Sequence, residues 1–158
     1  MYATIADIAQ IPDGAHRLEQ VGTGTKAVLA FWETEQDAKE ASDQVYEVED
    51  SWTGPSVDDA PVTCVLLHFD GPVSQARWDA GKYAHEHRIK PLLRGFDGYV
   101  RGYTLVDAVK RSLVVVGLGT SFEKTEEIGK AVNSMELLPE EDPATLQGCD
   151  RMELYRVN

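Results

Sequence analysis

Val28-Leu29-Ala30-Phe31-Trp32-Glu33-Thr34-Glu35-Gln36-Asp37 and, 86 residues later, Val114-Val115-Val116-Gly117-Leu118-Gly119-Thr120-Ser121-Phe122-Glu123 read as two copies of one strand-to-helix passage. In each, an apolar strand runs into Thr-x-x-acid, Thr34 with Asp37 and Thr120 with Glu123. A threonine hydroxyl there caps the third helical N–H while the acid reaches back, an arrangement worth about 1 kcal/mol. Pro12-Asp13-Gly14 answers Phe96-Asp97-Gly98 at a lag of 84, so a two-residue insertion reconciles the copies. The pairing points to duplication. The alternative is coincidence, because Asp-Gly turns and threonine caps are common.

Working outward, Ile5, Ile8 and Ala9 fall at helical spacing before Pro12-Asp13-Gly14, which predicts a short helix over residues 2–11. Strands are expected over 15–21 and 27–32, a helix from Glu35 to about Gln44, and a strand at 45–48. Residues 49–61, rich in Asp, Ser, Gly and Pro, read as a connector. Beyond it come a strand at 62–69, a long helical segment at 74–93 that Pro91 kinks or ends, strands at 99–106 and 113–118, a helix at 121–135 and a closing strand at 151–157. That second order is β-α-β-β-α-β, the split βαβ or ferredoxin-like unit. The first half matches it from its helix onward and lacks the opening strand. The expected division is 1–50 for the first ferredoxin-like repeat, 51–61 for the linker and 62–158 for the second repeat.

Both alternating faces are apolar in 62–69 and 113–118, and nearly so in 27–32. A lone sheet with helices on one side leaves its other face wet and polar. The two half-sheets are therefore expected to curl around each other with helices outside, an α+β barrel closed by one chain.

These residues resemble the dimeric α+β barrel superfamily, and Val28 to Ala38 is similar to the strand-to-helix signature of antibiotic biosynthesis monooxygenase-like proteins. The resemblance implies antiparallel sheets, a barrel usually assembled from two chains, and activities that include monooxygenases, isomerases and haem-degrading enzymes. Haem-degrading members place a histidine about one helix beyond the tryptophan. Here Ala41-Ser42 stand in that register, and Ile128 does so in the second copy, which argues against haem ligation. Leu118 stands where the first copy has Trp32, so the two possible pockets are not equivalent.

At 158 residues and 42% hydrophobic the chain can bury a real core. A net charge of -12 repels phosphate backbones and argues against nucleic acid as a partner. Eight of the 15 basic residues lie between Arg77 and Arg111; they read as a solvated face, with an anion-binding patch as the alternative. Two cysteines, Cys64 and Cys149, without metal-ligand spacing, read as reduced thiols in a cytoplasmic protein. No leader and no apolar run of about 18 residues suggests a membrane.

The chemistry-bearing residues cluster in Trp78-Asp79-Ala80-Gly81-Lys82-Tyr83-Ala84-His85-Glu86-His87-Arg88-Ile89. At 100° per residue His85 falls beside Trp78, Ile89 and Leu92, while His87 lies roughly opposite with Tyr83, so the two histidines cannot share a metal. Tyr99, Arg101 and Tyr103 alternate onto one face of the following strand. If that face meets the helix, His85 or His87 with Arg101 forms a catalytic set, and Tyr83, Trp78, Tyr103 and Trp32 line a substrate site. The bland alternative packs His85 against Trp78 and leaves the strand residues at the surface. His16 and His68 read as structural strand histidines. No Ser-His-Asp order, P-loop, GxGxxG or HExxH is present. The expected function is binding or transformation of a small, partly aromatic organic molecule, its enzymatic form being a cofactor-independent monooxygenase or isomerase without a metal. The alternative is a non-catalytic binding or interaction domain. A monomeric pseudo-dimer or a homodimer is expected.

Overall fold

The computed structural model describes residues 1–158. Its strands are β1 (Tyr2–Ala6), β2 (His16–Gln20), β3 (Lys26–Trp32), β4 (Tyr46–Thr53), β5 (Thr63–Phe69), β6 (Tyr99–Asp107), β7 (Ser112–Gly119) and β8 (Arg151–Val157). They close into a barrel in the order β1-β3-β2-β8-β5-β7-β6-β4, every neighbouring pair antiparallel. Taken in chain order, the first four strands run 4-1-3-2 around this ring, and so do the last four.

The two-sided apolar strands have the physical role expected of them. The main core cluster draws on all eight strands and no helix, with Leu29, Leu66, Leu105 and Val116 at its centre. An eight-stranded barrel has room for side chains or one small ligand. The outward apolar residues are covered in turn: Trp52 and Tyr99 pack with Leu93 and Ile128 of two helices, and Val28 and Ala30 pack with Ile8 of the irregular segment after β1, with helical Ala41 beside them. Helix α1 (Glu35–Ala41) starts at Thr34, whose hydroxyl accepts from the Asp37 N–H. No helix is long and apolar enough to cross a membrane.

Four expectations need correction. Residues 2–6 are a strand: Ala3 and Thr4 face opposite sides, both fully buried, and Tyr, Thr and Ile suit that setting better than a helix. The first half thus has its opening strand and lacks a helix between β1 and β2. The second helical cap is Ser121, one residue beyond Thr120, because the Thr120 N–H is still committed to the Gly98 carbonyl; helix α4 (Phe122–Asn133) begins there. Strand β4 continues to Thr53, into the presumed linker, because β6 pairs with it that far.

The expected long helix is α2 (Gln75–Ala84), a π-turn (His85–Ile89) and α3 (Lys90–Arg94) in succession. Pro91 has no N–H for the His87 carbonyl and its ring would strike it. The wider turn just before it removes that conflict without ending the helix.

Candidate functional site

The mouth of the barrel, where β5 ends and β8 begins, holds a cavity of about 580 Å³. Strand alternation sends Cys64, Leu66 and His68 of β5 inward, and Arg151, Glu153 and Tyr155 of β8 likewise. The register sets His68 opposite Arg151 and Leu66 opposite Glu153, so His68 and Glu153 are diagonal neighbours. His68 Nε2 makes a short contact with Glu153 Oε1, and the Tyr155 hydroxyl donates to Glu153 Oε2 at 3.1 Å. With Nε2 committed, Nδ1 of the buried His68 ring engages no protein group. A carboxylate that orients an imidazole and leaves its other nitrogen free is a base held in place.

Around this pair, Arg151 donates from Nε and Nη2 to the two oxygens of Asp70, each at 2.8 Å. That fork holds the Asp70 carboxyl below its usual range and raises the guanidinium in turn. Burial pushes the Tyr46 and Tyr155 phenols up to about 12, so both remain protonated donors across the neutral range. The Tyr46 hydroxyl donates to no protein group. Ile5, Ala27, Leu113 and Val114 supply apolar wall. Seven of the fifteen lining residues are hydrophobic, so the cavity is a largely polar, open mouth with room for a small molecule.

The helix-borne candidates stand elsewhere. His85 packs edge-on against Trp52, ring centroids 4.2 Å apart, on the outside of the barrel. Its Nε2 is buried without a partner, and burial lowers its pKa, with the charge of Lys90 adding to the effect. Lys90, 5% exposed, donates to Asp50 at 2.7 Å and Glu86 at 2.9 Å and lies over Trp52. His87 and Tyr83 stack at 4.4 Å above a shallow outer hollow of about 410 Å³. Trp78 is half-buried on α2.

The expected common face of β6 is broken. A bulge between Tyr99 and Arg101 turns Tyr99 to the helix layer, where its hydroxyl accepts from Trp52 Nε1 at 3.0 Å. Tyr103 instead lies inside the barrel, stacked on Phe31 at 4.6 Å, with Arg101 close enough to oppose the effect of burial on its phenol. Arg101 and Tyr103 are thus separated from His85 and His87 by the sheet. Trp32 is half-buried on the outer face and donates to Thr4 Oγ1 at 3.0 Å. Sequence alone does not bring His68 together with Glu153, Tyr155 and Tyr46, because His68 and Glu153 are 85 residues apart and only the β5–β8 register joins them. The one signal available was the alternation of Arg151, Glu153 and Tyr155 on a strand whose apolar neighbours pointed the other way.

No protein-family model and no curated protein matches the sequence. Solved structures match it in fold. A monooxygenase-like protein from Listeria innocua gives a TM-score of 0.68 at 11% identity over 99% of this chain and 93% of its own. A heme-degrading enzyme from Listeria monocytogenes gives 0.60 at 8% identity over 94% and 88%. A protein described as a major regulator of staphylococcal pathogenesis gives 0.63 at 11% over 98% and 96%. The chain has the ferredoxin-like fold of proteins related to the antibiotic biosynthesis monooxygenases.

The haem of such a neighbour can be tested against the residues here. Neither α1 nor α4 carries a histidine, and α4 fills its space with Ile128 against Tyr99 and Trp52. The residues at either signature do not fit haem ligation.

Proposed function

We propose that the protein binds a small, partly aromatic organic molecule at the barrel mouth and that His68, oriented by Glu153, takes a proton from it. The observation that carries this reading is a carboxylate-held imidazole that lines a 580 Å³ cavity, its other ring nitrogen bonded to no protein group, beside two tyrosines that burial keeps protonated. The proton leaves an acidic carbon or hydroxyl of the ligand for Nδ1, and the Tyr46 hydroxyl is free to donate to another oxygen of the same ligand. Returning the proton to a different carbon completes an isomerisation; passing the electrons to dioxygen begins a cofactor-independent oxygenation.

Titration with a panel of aromatic acids and quinols, followed through the four histidine NMR signals, tests it. Selective shifts of His68, lost in Glu153→Gln, are expected. Selective shifts of His85 or His87 would move the site to the helix layer with Tyr83 and Trp78. An absence of shifts throughout would leave the non-catalytic binding or interaction domain as the better reading.

The same barrel is best understood as two ferredoxin-like repeats, 1–50 and 62–158, forming a pseudo-dimer within one chain. The 4-1-3-2 strand order in each half supports this, as do Gly14 and Gly98, both at positive φ in corresponding turns. Light scattering is expected to find a stably folded monomer, and cooperative unfolding on dilution from a homodimer would refute it. Cys64 and Cys149 are free thiols, which supports a reducing, cytoplasmic setting.

A further inference from the structure

Charges that line the barrel mouth are paired with one exception. Asp70 is held by Arg151, and Glu153 by His68 and Tyr155. Lys110 forms no ion pair, and this exposed residue lines the same cavity as Tyr46, whose hydroxyl has no protein partner. The backbone of the turn that carries Lys110 is fixed. The Lys110 N–H donates to Asp107 Oδ1 at 3.1 Å, the next residue's carbonyl accepts from the Val73 N–H at 2.8 Å, and Arg111 Nε donates to the Val73 carbonyl at 3.3 Å. Gly71 allows that close approach, since a Cβ there would lie 2.2 Å from the Arg111 carbonyl oxygen. A free cation on a pinned turn, beside a phenolic donor without an acceptor, is the complement of an anionic group.

Resting on the barrel-mouth reading, we infer that the ligand is a monoanionic carboxylate, an aromatic or enolic acid, whose carboxylate sits between Lys110 Nζ and the Tyr46 hydroxyl while its acidic end reaches His68. A dianion such as a phosphate ester is disfavoured. The mouth offers one uncompensated cation, Asp70 and Glu153 stand nearby, and the chain carries a net charge of -12. The carboxylate gains one charge-assisted hydrogen bond and one phenolic one, and the ring lies on the apolar wall.

The test compares 4-hydroxybenzoate with hydroquinone, which shares the phenol and lacks the carboxylate, by NMR titration at low salt. 4-Hydroxybenzoate is expected to bind roughly tenfold more tightly, the size of one partly desolvated ionic hydrogen bond. Added salt should erode the difference. Lys110→Met, an exposed turn residue whose backbone contacts remain, should remove the advantage and leave hydroquinone unchanged; Tyr46→Phe should remove part of it. If both probes shift His68 and hydroquinone binds as tightly, or Lys110→Met leaves the preference intact, the carboxylate site is wrong and the barrel-mouth reading stands. If neither probe shifts His68, both are wrong.

Discussion

Glu153→Leu should destabilise the fold by roughly 2 kcal/mol at neutral pH. Glu153 uses both carboxylate oxygens, one toward His68 Nε2 and the other for the Tyr155 hydroxyl at 3.1 Å. Hydrogen bonds to a charged partner contribute about 1.5–3 kcal/mol each, which sets an upper range of roughly 3–6 kcal/mol. Two effects reduce it. The Glu153 side chain is 22% exposed, so its charge was never fully desolvated, and water entering the open mouth re-partners His68 and Tyr155. Leucine also adds apolar burial against the neighbouring barrel core, bringing the net to about 2 kcal/mol. Glu153→Gln keeps the shape and one acceptor and should cost about 1 kcal/mol or less. A cycle of Glu153→Gln with Tyr155→Phe should show a coupling near 1 kcal/mol. Urea denaturation with an unchanged m value is the assay. A Glu153→Leu protein as stable as the parent, or more so, would refute the claim that the mouth is organised around this carboxylate.

Trp32→Phe keeps most of the ring burial but strips the donor from Thr4 Oγ1, a group 0% exposed, and should cost about 1–2 kcal/mol by thermal denaturation. Gly102→Ala would set a Cβ 2.3 Å from the Tyr99 hydroxyl and 2.4 Å from the Trp52 indole; two ring systems that cannot both retreat make a loss of about 2–3 kcal/mol the expected result, read from the urea midpoint. Asp70 has its folded pKa depressed by Arg151, so its contribution is full above the unfolded carboxyl value near 3.9 and is lost as pH falls through the lower folded value. Both side chains are about half exposed, which limits the contribution to about 1 kcal/mol. Acid titration of stability should show this component in the parent and not in Asp70→Asn.

The strands with two apolar faces were legible in the chain because burial on both sides leaves no polar alternation, as in Val114 to Leu118. The caps were legible to within one residue, and Thr120 was displaced only because its N–H belongs to a sheet-end contact with Gly98 that no local pattern reveals. Strand β1 was hidden by Ile5, Ile8 and Ala9, whose spacing imitates a helix although the last two lie beyond the strand. The site was the least legible part. A single bulge between Tyr99 and Arg101 reversed the facing of a tyrosine, and bulges leave no periodic signature. The convergence of His68 on Glu153 depends on which strand lies beside which, and in what register. That is a property of the closed barrel, whereas either segment alone carries no trace of it.

Strand β4 has its own irregularity, between Val48 and Asp50. Because of it, Tyr46 points into the mouth while Trp52, an even six positions on, points to the helices. One continuous strand therefore carries the proposed ligand contact at one end and, at the other, an indole wedged among Tyr99, His85 and Lys90. If β4 moves as one body when a ligand engages Tyr46, the emission of Trp52, in a variant where Trp32 and Trp78 are phenylalanine, changes with ligand although no ligand touches it; unchanged emission at saturating ligand would show that the two ends of the strand are uncoupled.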